Sequence, residues 1–105
     1  MSARLDSLRA SCGGPRDGAL LRVALANALA AEGAAVEAIV ELRRALEFDS
    51  DYSAAWKQLG KVLADSGDSG SAIDAYQRGI EAAVKRGDNQ AEKEMAVFLR
   101  RLQKA

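Results

Sequence analysis

The sequence predicts an all-α protein, a short array of stacked helix pairs, and three observations carry that prediction. Ala and Leu are abundant, while aromatic residues are confined to Phe48, Tyr52, Trp56, Tyr76 and Phe98. The chain matches itself when slid by 34 residues. Its last segment places apolar residues on one helical face and charges on the other.

Small and unbranched apolar side chains suit helices that approach closely, whereas strands favour β-branched and aromatic residues. A chain of 105 residues falls within one ordinary domain. It is long enough for a real core, burying about two-thirds of the surface its unfolded form exposes. Fifteen basic and fifteen acidic residues cancel, so net charge steers the protein toward neither nucleic acid nor a membrane surface. No apolar run approaches the roughly 18–20 residues that span a bilayer. Residues 1–6 lack the apolar stretch of a secretory signal, so a cytoplasmic location is expected. Cys12 is the one cysteine and can form no internal disulfide. Histidine is absent, which removes Ser-His-Asp and Cys-His activation and the commonest zinc ligand. No constellation of carboxylates or lysines takes its place. Neither enzymatic activity nor a metal or cofactor is expected.

The 34-residue offset pairs Asp17 with Asp51, Leu25 with Leu59, Leu29 with Leu63, Ala30 with Ala64 and Gly33 with Gly67. It also pairs Ala38 with Ala72, Ile39 with Ile73, Arg44 with Arg78 and Glu47 with Glu81. Conservative pairs fill the gaps: Ala26 with Gly60, Leu42 with Tyr76, Ala45 with Gly79, Leu46 with Ile80. Chance matches in an Ala-rich chain would scatter over many offsets. A repeat of this length is one supersecondary unit that buries its apolar face only by stacking on its neighbour.

The second copy, Trp56-x-x-Leu59-Gly60-x-x-Leu63 followed by Ala72-x-x-x-Tyr76, resembles the tetratricopeptide repeat at the family's spacing. The first copy keeps Leu25, Ala26, Leu29, Ala38 and Leu42 but has Arg22 in place of the tryptophan. The resemblance covers roughly residues 19–86. It implies a right-handed α-solenoid of two helix-turn-helix repeats, at 18–48 and 52–86. It further implies that Trp56 packs between the two helices of its own repeat.

Helices are expected over 3–11, 18–32, 35–48, 52–66, 69–86 and 89–103. Gly33 and Gly67 mark the turns within each pair, positions that favour a positive φ. Residues 3–16 form a short helix and linker, with Leu5 and Leu8 apolar and Cys12-Gly13-Gly14-Pro15 ending it. In the last segment, 88–103, Ala91, Met95, Phe98, Leu99 and Leu102 make a stripe backed by Glu92, Lys93, Glu94, Arg100 and Arg101. This is a capping helix, one face on the last repeat and one in water. Arg86-Gly87-Asp88 spells an adhesion tripeptide, but a basic last turn, a helix-ending glycine and an N-cap aspartate account for all three residues. Gly13-Gly14 and the 67–70 turn lack the Gly-Lys-Ser/Thr ending of a phosphate loop. Glu37, Glu41, Glu47 and Glu81, beside Arg43, Arg44, Arg78 and Lys85, are expected to form solvated pairs along the helices.

The resemblance also implies where a partner would lie, in a concave groove lined by the first helix of each pair. Carried onto this chain, the groove residues are Leu20, Val23, Asn27, Ala30 and Ala31, then Ala54, Lys57, Gln58, Lys61, Ala64 and Asp65. The best candidates for contact are Val23, Asn27, Lys57, Gln58, Lys61 and Asp65. Asn27 both donates and accepts, which suits a peptide backbone. Lys57 and Lys61 stand four apart on one helical face, which makes an acidic peptide the natural complement. The family's clamp for chaperone tails does not fit, since Val23, Asn27, Gln58, Asp88 and Glu92 match its pattern only at Asn27. The expected function is a protein-interaction adaptor that binds a protein or peptide. The alternative is a structural scaffold that self-associates into a homo-oligomer.

Overall fold

The computed structural model describes residues 3–104. It contains six helices and, among the described residues, no strand: α1 (Ala3–Ser11), α2 (Ala19–Ala31), α3 (Ala35–Phe48), α4 (Ser53–Asp65), α5 (Ser69–Arg86) and α6 (Asn89–Lys104). The expected boundaries hold to within a residue. Consecutive helices pack against one another, and α2 touches α4 while α4 touches α6. The odd-numbered partners α3 and α5 back this inner row, and α1 lies on α2.

Three turns share one construction, and it explains why these sequences fold into hairpins. Gly33, Gly67 and Gly87 take φ of 82°, 87° and 70°, the left-handed region that a Cβ disfavours. Each then lets the next residue's N–H reach back to a carbonyl in the last helical turn. Ala34 donates to Leu29, Asp68 to Leu63 and Asp88 to Ala83, at 2.9, 2.9 and 2.8 Å. This closes carbonyls that a helix end otherwise leaves open. Asp68 and Asp88 then start the following helices, their carboxylates accepting from the N–H groups of Ser71 (3.2 Å) and Ala91 (3.1 Å). Asp88 also accepts from the Ser53 hydroxyl at 2.8 Å. One residue thus caps α6 and ties it to the start of α4. The Arg86-Gly87-Asp88 tripeptide is a turn, as its chemistry implied.

The core is continuous through Leu25, Leu29, Leu42, Leu59 and Leu63, all nearly or fully buried, and a second cluster of Tyr76, Ala83, Ala91 and Met95 joins α5 to α6. Gly60 sits where the two clusters approach. A Cβ there would lie about 2.5 Å from the Tyr76 ring, so the ring packs flat against the α4 backbone only because position 60 has no side chain. In the first repeat the same pair is Ala26 and Leu42, a methyl group facing a smaller partner. Gly60→Ala should therefore lower stability by about 1–2 kcal/mol through overpacking, against the gain in helix propensity of roughly 1 kcal/mol that alanine brings to an open site. Adding Tyr76→Leu, which copies the first repeat, should restore much of the loss. Urea denaturation of the two variants checks both outcomes.

The tryptophan position of the first repeat is filled by charge. Arg22 is only 9% exposed and stands between two carboxylates. Its Nε and Nη2 donate to Asp17 at 2.9 and 2.7 Å, and its Nη1 donates to Glu41 at 2.7 Å. Asp17 also accepts from the backbone N–H groups of Gly13 and Gly18. In the second repeat the corresponding positions hold Trp56 and Ala75, and the Trp56 Nε1 donates to the Ser50 carbonyl at 2.8 Å. A fork of charge-assisted bonds replaces an indole and a methyl group. Glu41 also pairs along its own helix with Arg44 at 3.6 Å, as expected, but its side chain is only 15% exposed, which corrects the expectation that this pairing is solvated. Glu37 pairs across helices, with Arg9 of α1 at 2.8 Å, and Lys85 reaches Asp51 at 3.3 Å. Arg78 does pair along its own helix, with Asp74 at 3.1 Å. Asp49 and Arg86 join the ends of α3 and α5 through two bonds of 2.6 and 3.0 Å.

Candidate protein-binding groove

The inner row of helices leaves two neighbouring clefts. The first holds about 400 Å³. Its α4 wall carries Lys57, Gln58, Lys61, Ala64 and Asp65, its floor is Tyr76 of α5, and its far wall is Glu94, Phe98, Arg101 and Leu102 of α6. The second holds about 350 Å³ between α2 and α4 and is lined by Asn27, Ala30, Ala31, Ala35, Gln58, Lys61, Val62, Asp65 and Ser66. Gln58, Lys61 and Asp65 line both clefts, so the two are neighbours on one surface across α2, α4 and α6, with these α4 residues between them. Both volumes fall in the range of about 300–1,000 Å³ common to ligand sites.

Five of the six candidate residues lie along this surface: Asn27 in the second cleft, Lys57 in the first, and Gln58, Lys61 and Asp65 in both. Val23 does not. It is 7% exposed and belongs to the core cluster that also contains Leu5 of α1, the helix that packs on α2. The far wall was missed by sequence reasoning. Glu94 and Arg101 were expected on the outer, watered face of a cap, and Phe98 and Leu102 in its packing stripe. The 34-residue offset held the signal, since the Gly87 turn places α6 as the first helix of a further pair. The absence of the repeat's Trp and Leu from α6 hid it.

The electrostatics of the groove are mixed. Lys57 pairs with Glu94 across the cleft at 3.4 Å, and Lys61 with Asp65 along α4 at 3.7 Å. The first cleft thus holds three cations, Lys57, Lys61 and Arg101, and two carboxylates, Asp65 and Glu94. One positive charge is left over. Arg101 lies over the Phe98 ring, its guanidinium carbon 6.0 Å from the ring centre. Tyr76 and Phe98 meet with centroids 5.7 Å apart. Burial raises the Tyr76 hydroxyl above its ordinary pKa, and the Asp65 charge adds to the shift, so the phenol stays a neutral donor. Among the described residues no cluster of His, Cys, Asp and Glu could hold a metal ion, and no helix is long and apolar enough to cross a membrane.

No protein-family model matches the chain, but individual relatives do. A TPR repeat-containing protein of Pseudomonas aeruginosa is 46% identical over 89 residues, covering 85% of each chain. A solution structure of a Bordetella parapertussis protein is 43% identical with a TM-score of 0.84, covering 99% of this chain and 90% of that one. A tetratricopeptide-repeat domain protein of Salinibacter ruber superposes with a TM-score of 0.77 at 28% identity, covering 85% of this chain and 89% of that one. The chain belongs to the tetratricopeptide-repeat family, whose fold generally mediates interactions between proteins.

Proposed function

We propose that the protein is an adaptor that holds an extended acidic segment of a partner protein in the groove across α2, α4 and α6. The observation that carries this reading is that two neighbouring clefts share Gln58, Lys61 and Asp65 as lining residues. An extended segment needs a long trough with polar groups at intervals, and Asn27, Gln58 and the two lysines supply them. The single excess positive charge of the first cleft favours carboxylates on the ligand, by steering encounter more than by raw affinity. Two repeats give a short trough, so the affinity is modest.

The test is a partner captured with this chain as bait and then titrated as a purified fragment. Lys57→Glu combined with Lys61→Glu should weaken binding on the order of tenfold or more, because it turns two attractions into repulsions. It should leave the helical circular-dichroism signal intact, since Lys61 is exposed and the ion pairs that the two lysines lose are partly solvated, each worth about 1 kcal/mol or less. The corresponding pair of Gln substitutions should fall between. Raising salt should weaken wild-type binding, as exposed charges are screened over about 8–10 Å near physiological ionic strength. Undiminished binding by the Glu pair at every salt concentration would remove the groove as the contact surface.

A further inference from the structure

The first cleft is more than a stretch of trough. Its floor and one wall are apolar rings, Tyr76 and Phe98, with Leu102 and Ala64 beside them, whereas Arg101 and the Tyr76 hydroxyl supply donors to its lining. Arg101 has no carboxylate partner among the described residues and rests on the Phe98 ring. Tyr76 is 3% exposed and donates to no protein acceptor among the described residues. Since no side-chain polar atom is both fully buried and unpartnered, its hydroxyl must open onto the cleft. A buried ring whose hydroxyl stays accessible beside a cleft is a ready contact for a ligand, because the ring offers apolar surface and the phenol can exchange its water for a ligand acceptor. Gly60 makes this placement possible by letting the ring lie on the α4 backbone. The first repeat has no equivalent, with Ala26 and Leu42 at the two positions.

Resting on the acidic-segment reading above, we infer that this cleft is a specificity pocket that takes one large apolar side chain of the bound segment, with a neighbouring carboxylate on Arg101. Its volume of about 400 Å³ lies near the small end of ligand pockets and has room for one large side chain together with its flanking backbone. The segment passes through and does not end there. The cleft shares Gln58, Lys61 and Asp65 with its neighbour, and Lys57 and Lys61 are each engaged by a carboxylate on different walls instead of converging on one chain terminus. The partner's recognition element is therefore an internal acidic stretch with a single aromatic or large aliphatic anchor.

Fluorescence polarisation with blocked synthetic peptides tests this on the whole chain. One probe alternates Glu and Ser around a central Phe, a second has Ala in place of the Phe, and a third keeps the Phe but replaces Glu by Gln. Wild type should bind the first probe on the order of tenfold more tightly than the second, the usual reward for filling an apolar pocket. Ala64→Phe, which fills the cleft from within, should abolish that preference. Arg101→Gln, at an exposed position that leaves folding intact, should weaken the first probe severalfold and leave the third unchanged. Equal binding of the Phe and Ala probes by wild type would overturn the pocket while leaving the acidic groove standing. So would a preference that survives Ala64→Phe with native melting, or an Arg101→Gln variant indistinguishable from wild type on the first probe. Binding of none of the probes would overturn the groove reading and the pocket together.

Discussion

Replacing Arg22 by Met should lower the stability of the domain by about 3 kcal/mol, the low end of what breaking a buried ion pair costs. The substitution keeps length and apolar bulk but strands two carboxylates that face the same guanidinium. The low end applies because the Asp17 and Glu41 side chains remain 10% and 15% exposed and recover some hydration. For a domain of this size the change corresponds to a fall in melting temperature on the order of 15 °C. The second repeat supplies the repair. Arg22→Trp with Glu41→Ala rebuilds the Trp56 and Ala75 arrangement and should be more stable than Arg22→Met, since a buried ion pair and its apolar substitute are often nearly equivalent. Acid titration gives an independent reading. Hydrogen bonds from Arg22, then those from the Gly13 and Gly18 backbone, hold Asp17 below its ordinary value of 3.8, at about 2. A carboxylate depressed in the folded state contributes stability that is complete above its unfolded value and is lost as pH falls through the folded one. Wild type should therefore lose stability between about pH 4 and pH 2. Arg22→Met should show a shallower slope over that window, because the largest cause of the depression is gone.

The Arg22 site marks how far the sequence could be read. The helices and their turns were legible because their signals are local. A glycine that must take positive φ, an aspartate one residue later and small residues at fixed spacing all act within a few positions of themselves. The 34-residue repeat made the signals mutually consistent, which raised the fold above what any one helix could support. Arg22 was visible as a departure from the pattern, but its second partner lies 19 residues away on α3. Only the packing of α2 on α3 reveals that Glu41 points inward. The groove divides the same way. Asn27, Lys57, Gln58, Lys61 and Asp65 follow from helical phase, since residues three and four apart share a face. Val23 shares that phase yet is buried in the cluster that includes Leu5 of α1, and a helix joined by a linker of Gly and Pro carries no local sign of where it will dock. The α6 wall was concealed by its dual use. Phe98 and Leu102 read as packing residues, which they partly are, and nothing local tells that their other faces line a cleft.

Ending the chain after Gly87, and so removing α6, should leave a protein that has no cooperative thermal transition near the wild-type temperature and associates through its exposed face. The apolar cluster between α5 and α6 is shared. Met95 is fully buried and Tyr76 nearly so, and Trp56, Ile80, Phe98, Leu99 and Leu102 close around them. The two surfaces are matched at atomic scale. A Cβ on Gly79 would lie about 2.5 Å from the Met95 sulfur and 2.6 Å from the Trp56 Cβ, so α5 is notched to receive α6. Deleting the helix uncovers Tyr76, Ile80 and Trp56 together and removes the Asp88 bond to Ser53 that anchors α4. Each large side chain returned to water forfeits about 1.5–3 kcal/mol. Part of that is offset, because the entropy of ordering α6 is no longer spent. A domain of this size has only about 5–15 kcal/mol in hand, so even a partial loss reaches the threshold. Met95→Ala keeps α6 and should cost about 2–4 kcal/mol, as emptying a fully buried site does, giving a variant that still folds and can be measured by urea denaturation. A truncated chain that stays monomeric and melts like wild type, together with a Met95→Ala variant of unchanged stability, would mean that α5 closes its own surface.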